Sequence, residues 1–418
     1  MIALVDCNAC YASCEQIFRP DLRDKPVIVL SNNDGCIIAR SAQAKQLGVP
    51  DLQPFFKIEA QLKRHRVHVF SANFRLYGDI SNQVMATLRE FSPLVEQYSI
   101  DEMFLDFSGM KQDLNAYGAQ IRDTLWRHVR MPVGVGIAPS KTLAKLANHA
   151  AKKIKESGVA VLDTPQKWQW LQKRLPVIKV WGVGKRLQRR LNALGIHSAY
   201  QLAQADARFL RRQISVNIER TIRELNGESC IALDEQPAPK KEIFVTRSFG
   251  RKTSSKEELL RHISRYAAAA AEKLRSQNSL CSSLYLFAFT SEFKPGFYRN
   301  SLVLRLPWPS SDSSLIIRYA RQGMAQLHRP GALFAKCGIG LLDIRDRRFY
   351  QQDLFTPGQS RHSDELMRVI DGINHRYGRD ALVFGAEGLS GKWSMRQQRL
   401  SPPYTSSWHH LLRVDCNR

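Results

Sequence analysis

From residue 2 to about residue 155 short apolar runs alternate with amphipathic stretches, and past residue 165 helical patterns punctuated by glycine take over. That switch constrains the fold most. Strands alternating with helices share a sheet, whereas helices joined by short turns bury one another. Residues 2–5, 26–30, 67–71 and 133–137 read as strands, and two more lie within 93–107, meeting near residues 99–102. Helical patterns fall at 40–48, 54–64, 73–91, 112–129 and 140–155, then at 166–175, 185–194 and 198–213. Residues 230–241 mix prolines and charges without periodicity, as a linker does. The next unit reads strand 242–249, helix 255–277 with Ser254 and Glu257 at capping-box spacing, strands 281–290 and 302–306, helix 314–327 and strand 336–344. This is the βαββαβ order of a split βαβ unit. A tail with one helix, 363–377, follows. The expectation is a multidomain α+β chain with units at 1–165, 166–235, 242–350 and 351–418, because 418 residues exceed what one core organises.

The formal charge of +24 points to a polyanionic partner, most often nucleic acid. Residues 1–6 carry an acid and no basic segment, and no apolar run is long enough to span a bilayer, so a cytoplasmic protein with no membrane partner is expected. The eight cysteines form no disulfide framework, and Cys7, Cys10 and Cys14 read as small packing residues rather than a metal cluster.

Asp6 ends the first apolar run, and Asp101 and Glu102 sit where two further runs meet. Acids embedded among apolar strand residues must be paired or metal-bound, and several converging carboxylates suit Mg²⁺. Neighbours in a regular strand point to opposite faces, so Asp101 and Glu102 share a site only at a strand end or bend. A pair of surface acids on a hairpin is the alternative. The helix from Ser140 places Lys141, Lys145, Asn148 and Lys152 on one face, either a polyanion contact or a solvated surface. Gly182, Gly184, Lys185 and Arg186 lie between two helical stretches, where a Gly-x-Gly turn offers backbone N–H groups at a helix start to a DNA phosphate.

Taken together, residues 3–15, Tyr98-Ser99-Ile100-Asp101-Glu102, residues 134–138 and residues 140–148 resemble the Y-family DNA polymerases, and within them the UmuC type, in order along nearly the whole chain. The resemblance implies a right-hand polymerase: palm and fingers (fingers about 26–69), a helix-hairpin-helix thumb, and a βαββαβ little finger. It implies an error-prone translesion DNA polymerase of the SOS DNA-damage response, with two Mg²⁺ ions and dNTP substrates. Asp6, Asp101 and Glu102 would be the catalytic metal ligands, assisted by the Cys7 carbonyl. Tyr11 would be the steric gate beneath the sugar, and Lys45 and Lys152 would bind the triphosphate.

Lys45 stands where many relatives carry Arg, which leaves a point charge in place of a bidentate fork, and Ala42 replaces a Tyr. Gln351, Leu354 and Phe355 resemble a sliding-clamp peptide. The tail resembles the extension associated with a cleaved UmuD-like dimer, and primed, damaged DNA and a RecA-type filament are further implied partners, in a nucleoid setting. A noncatalytic DNA-binding factor and a two-metal nuclease are the competing classes.

Overall fold

The computed structural model describes residues 1–154, 157–234, 238–351, 358–378, 380–388 and 395–410. In chain order the first part contains β1 (Ile2–Cys7), α1 (Cys10–Ile17), β2 (Val27–Leu30), β3 (Ile37–Arg40), α2 (Ala42–Gln46), α3 (Phe55–Arg64), β4 (His68–Ser71) and α4 (Phe74–Leu88). There follow β5 (Val95–Gln97), β6 (Glu102–Asp106), α5 (Leu114–Val129), β7 (Val133–Ala138), α6 (Lys141–Lys153) and β8 (Val159–Val161). Five helices come next: α7 (Pro165–Arg174), α8 (Lys185–Ala193), α9 (Ala199–Ala203), α10 (Ala207–Gln213) and α11 (Val216–Leu225). The remainder is β9 (Ile243–Thr253), α12 (Lys256–Ser276), β10 (Ser279–Thr290), β11 (Arg299–Ser310), α13 (Ser313–Leu327), β12 (Phe334–Leu342), β13 (Arg345–Asp346) and α14 (Arg361–Tyr377). Two units separate: Met1–Pro237 with Gln397–Arg418, and Ala238–Arg396.

In the first unit β1 is the middle strand of a sheet ordered β5-β6-β1-β7-β8. Its side chains alternate between two cores, as a strand's period of two requires. Ala3 and Val5 face the core shared with Tyr77, Ile80 and Leu125 of α4 and α5, while Ile2 and Leu4 face the one shared with Leu143 and Ala147 of α6. By the same alternation Asp6 lies on the α6 side. A smaller sheet, β3-β2-β4, carries α2 and α3 over a separate core built on Ile28, Leu30 and Phe55. Cys7, Cys10 and Cys14 are buried free thiols, as packing residues should be.

The helical stretch closes on the outer side of α6. Glu224 of α11, fully buried, accepts from the backbone N–H groups of Thr142, Cys230 and Ile231, so one carboxylate caps the start of α6 and fixes the chain leaving α11. The helix expected over 198–213 is two, because Asp206 caps α10 by accepting from Arg208 and Phe209 N–H and so stops α9.

In the second unit the sheet order is β11-β10-β12-β9, with α12 and α13 burying Leu259, Ile263 and Met324 against one face. The strand expected at 302–306 runs from Arg299 to Ser310, through Pro307 and Pro309, which an edge strand tolerates because its outer N–H groups have no partner. The cap of α12 falls one residue later than its sequence spacing suggests: Ser255 accepts from Glu258 N–H. Among the described residues no helix is long and apolar enough to cross a membrane.

Candidate polymerase active site

Asp6 and Glu102 are direct partners across the β1–β6 ladder, so both carboxylates stand on the α6 face. Asp101 precedes β6 in a bend, where the Ser99 hydroxyl accepts from the N–H groups of Asp101 and Glu102 and donates to Asp101 Oδ1 at 2.6 Å. The Cys7 N–H donates to the Asp101 carbonyl at 2.8 Å and ties the bend to the end of β1. That bend answers the geometric objection that adjacent strand residues diverge. The three acids are brought to the same end of the central strands of the sheet.

Two glycines explain how α6 reaches them. A Cβ on Gly136 would meet Asn148 N at 2.1 Å and the Ala144 carbonyl at 2.5 Å, so helix and strand touch backbone to backbone. Gly134, register partner of Asp6, lets the Lys152 stem lie across it, with Cγ 3.0 Å from where a Cβ would stand. The Lys152 ammonium therefore pairs with Asp6. Two turns earlier Lys145 pairs with Glu102 at 2.8 Å and lies 4.3 Å over the Tyr98 ring and 5.2 Å over Trp181.

The lysine face of α6 is also engaged within the fold. Lys141 is buried and bonds Glu96 and the Ala232 carbonyl at 2.6 Å; Asn148 donates to the carbonyls of Leu4 and Gly134. Lys141, Lys145 and Asn148 look into the acid cluster and the fold, while Lys152 at the helix end pairs with Asp6 and keeps contact with solvent. Sequence periodicity located this face correctly but carried no information on what it would meet.

Burial pushes the Asp6 carboxyl up to about 6, with Glu102 and Asp101 adding to the shift and Lys152 opposing it. An acid this reluctant to ionise calls for nearby positive charge. Hard carboxylate oxygens at the strand ends fit a divalent cation of the Mg²⁺ class, and here lysine ammonium groups supply the compensating charge. Among the described residues no three acid, cysteine or histidine side chains close on a single point, so the set is an open one rather than a finished cage.

Tyr11, on α1, is half-buried and stacks on Tyr77 of α4 with centroids 4.7 Å apart and planes at 17°, while Phe74 meets its edge at 5.9 Å. Lys45 on α2 is exposed; partial desolvation and the nearby cations Arg40, Lys153 and Lys152 hold its ammonium below the ordinary lysine range. Lys45 and Lys152 therefore share one cationic neighbourhood. Gly182 adopts φ +84°, and Gly184 caps α8 without a side-chain cap bond. Both glycines, with Lys185 and Arg186, are exposed. Of the clamp-like peptide, Gln351 is exposed, while Leu354 and Phe355 lie outside the described residues.

Glu15 on α1 is a residue that sequence reading passed over. It is fully buried, accepts from Tyr77 OH at 2.7 Å, and leaves Oε2 without a hydrogen-bond partner. Burial pushes its carboxyl up to about 7 against the hydrogen bonds from Tyr77 and Ser401. The folded chain retains this proton where the unfolded chain has released it, so Glu15 costs stability progressively as pH rises from about 4.5 to about 7. Glu15→Gln is expected to remove that dependence: between pH 5 and 8 the unfolding free energy of wild type should fall relative to the variant by roughly 2–3 kcal/mol in urea titrations.

Comparison with known proteins identifies the family. Residues 5–149 match the impB/mucB/samB family, 165–196 its helix-hairpin-helix motif, 240–354 its C-terminal domain, and 364–414 a domain of unknown function. The chain is 44% identical to the UmuC protein of Salmonella typhimurium over 99% of this chain and all of that one. It is 42% identical to MucB of Escherichia coli over 98% and 99%. DNA polymerase IV 1 of Bacillus subtilis is 28% identical over 91% and 92%. A solved Y-family DNA polymerase chimera superposes with TM-score 0.66 at 21% identity, covering 82% of this chain and 99% of that one, a likeness of fold. The chain belongs to the impB/mucB/samB family and is a UmuC-type translesion DNA polymerase of the Y family, built as palm and fingers, helix-hairpin-helix thumb and little finger.

Proposed function

We propose that Asp6, Asp101 and Glu102 hold two Mg²⁺ ions, with the Cys7 carbonyl as a further ligand, and that the chain uses them to add dNTPs to a primer 3′ end opposite damaged template. The observation that carries this is the pairing of Asp6 with Glu102 across two strands, with Asp101 delivered to the same end of the sheet by the Ser99 bend. Bound Mg²⁺ would favour the 3′-alkoxide and neutralise the triphosphate and leaving pyrophosphate. The chain's own part is to position and to balance charge. Lys152 and Lys45 meet the triphosphate from one side, and Lys145 aims Glu102 by its bond and its aromatic bed.

Tyr11 is the sugar gate in this reading, since its ring is fixed by Tyr77 and Phe74 rather than free to swing away from a 2′-hydroxyl. Tyr11→Ala should raise the ribonucleotide-to-deoxyribonucleotide ratio of kcat/KM on the order of 10²-fold in single-nucleotide primer extension. An unchanged ratio removes Tyr11 from that role.

Residues 1–165, with fingers at about 26–69, are assigned to palm and fingers, 166–235 to thumb, 242–350 to little finger, and 351–418 to the tail. Gly182, Gly184, Lys185 and Arg186 grip duplex phosphates through the start of α8, independent of sequence. A cleaved UmuD-like dimer, a RecA-type filament and a sliding clamp, the last through residues 351–355, are the partners, in a cytoplasmic, nucleoid-associated setting. The family membership supports them.

A further inference from the structure

The second unit ends at Arg396, and from Gln397 the chain rejoins the first unit, where it lies against the elements behind Tyr11. The contact is built from backbone as well as side chains. Ser71 N–H donates to the Arg399 carbonyl at 2.9 Å, Arg399 N–H donates back to Ser71 Oγ at 3.0 Å, and Gln398 N–H donates to Asp34 Oδ2 at 2.9 Å. Tyr404 stacks flat on Phe18 at the end of α1, centroids 4.7 Å apart with planes at 4°. This segment belongs to the stretch that matches a domain of unknown function.

Ser401 is the point of closest approach to the gate. It is buried; its hydroxyl accepts from Asn73 Nδ2 at 3.0 Å and donates to Glu15 Oε1 at 3.1 Å. Asn73 is the N-cap of α4, its side chain accepting from Leu76 N–H, and α4 carries both Phe74 and Tyr77. Tyr77 OH donates to the same Glu15 oxygen at 2.7 Å, and the Tyr77 ring is the surface on which Tyr11 stacks. Ser401 therefore holds both supports of Tyr11: the start of the helix that carries its two aromatic neighbours, and the carboxyl that fixes the ring beneath it. Each bond in this chain has a defined donor and acceptor, and Ser401, Glu15 and Tyr77 are buried.

We propose that residues 397–405 form a strap that positions the Tyr11 ring, with Ser401 as a positioning residue for sugar selection. The proposal rests on Tyr11 being the sugar gate. The tail thereby couples nucleotide choice to its own docking: a tail lifted from Phe18, Ser71 and Glu15 loosens α4 and Tyr77 and lets the gate ring yield to a 2′-hydroxyl. A loose support permits small displacements of a residue that excludes by contact, and such displacements alter discrimination more than chemistry.

The test is the ratio of kcat/KM for a ribonucleotide over its deoxyribonucleotide, measured by primer extension with the full chain and a processed UmuD-type dimer. That ratio does not depend on the active fraction, so partial misfolding does not imitate the effect. Ser401→Ala, which loses two hydrogen bonds, and Tyr77→Phe, which loses one, both keep shape and should each raise it roughly fivefold. In a Tyr11→Ala background Ser401→Ala should add nothing, because the ring it positions is gone. If Tyr11→Ala raises the ratio while both Ser401→Ala and Tyr77→Phe leave it unchanged, the strap is overturned and the gate stands. If Ser401→Ala raises it equally with and without Tyr11, the strap does not act through that ring and the proposal fails. If Tyr11→Ala itself changes nothing, the gate reading falls and takes the proposal with it.

Discussion

Replacing Asp101 and Glu102 together by Ala is expected to lower primer extension on the order of 10³-fold or more in kcat, while primed-DNA affinity stays within about threefold. The chemistry needs hard oxygen ligands at the strand ends, whereas duplex contacts are assigned to residues such as Lys185 and Arg186 on α8. The fold should survive. Two of three mutually repelling acids are removed, and Lys145, though it loses Glu102, keeps its place over Tyr98 and Trp181. Rapid-quench extension and fluorescence anisotropy on the same primed template separate the two effects. Extension at the wild-type rate by this double variant would exclude the carboxylates from catalysis.

The largest expected effect on stability comes from Gly136→Ala. The new Cβ would meet backbone atoms, Asn148 N at 2.1 Å, the Ala144 carbonyl at 2.5 Å and the Ala147 carbonyl carbon at 2.7 Å, none of which yields by a rotamer change. Either α6 lifts from β7 or the sheet distorts, at a cost on the order of 4 kcal/mol or more, read as a fall in the urea midpoint of the first unit. Because α6 delivers Lys145 and Lys152 to the acids, surviving protein should also extend primers poorly. Gly372→Ala in α14 serves as the control: nothing lies within 4 Å of its Cβ, and gaining a better helix former should stabilise by up to about 1 kcal/mol.

The palm strands and the three acids were legible in the sequence, because a strand buried on both faces writes itself as a continuous apolar run and an acid at its end stands out. Ser99 was less so: only the structure shows one hydroxyl organising both Asp101 and Glu102. Periodicity found the lysine face of α6 but not its direction, since pairing with Asp6 and Glu102 is non-local and depends on glycines at 134 and 136. Short elements escaped for want of a full period: α1, with Cys, Ser and Glu on its buried side, and three-residue β8. Helix α11 also went unread, although Ile218, Ile222 and Leu225 repeat at helical spacing. The return of residues 397–405 to the first unit had no local signature at all, because it is made by backbone groups, two serines and one tyrosine ring meeting partners more than 300 residues away.

We propose that the carboxylates at the ends of β1 and β6 make this chain a damage-tolerant polymerase. The most direct test of this is extension of a labelled primer annealed to a template with an abasic site at the next position, in Mg²⁺ and dNTPs, with the processed UmuD-type dimer present. The account predicts elongation opposite and beyond the abasic site by wild type and none by Asp101→Ala/Glu102→Ala. Binding without elongation, or shortening of the primer, would contradict it.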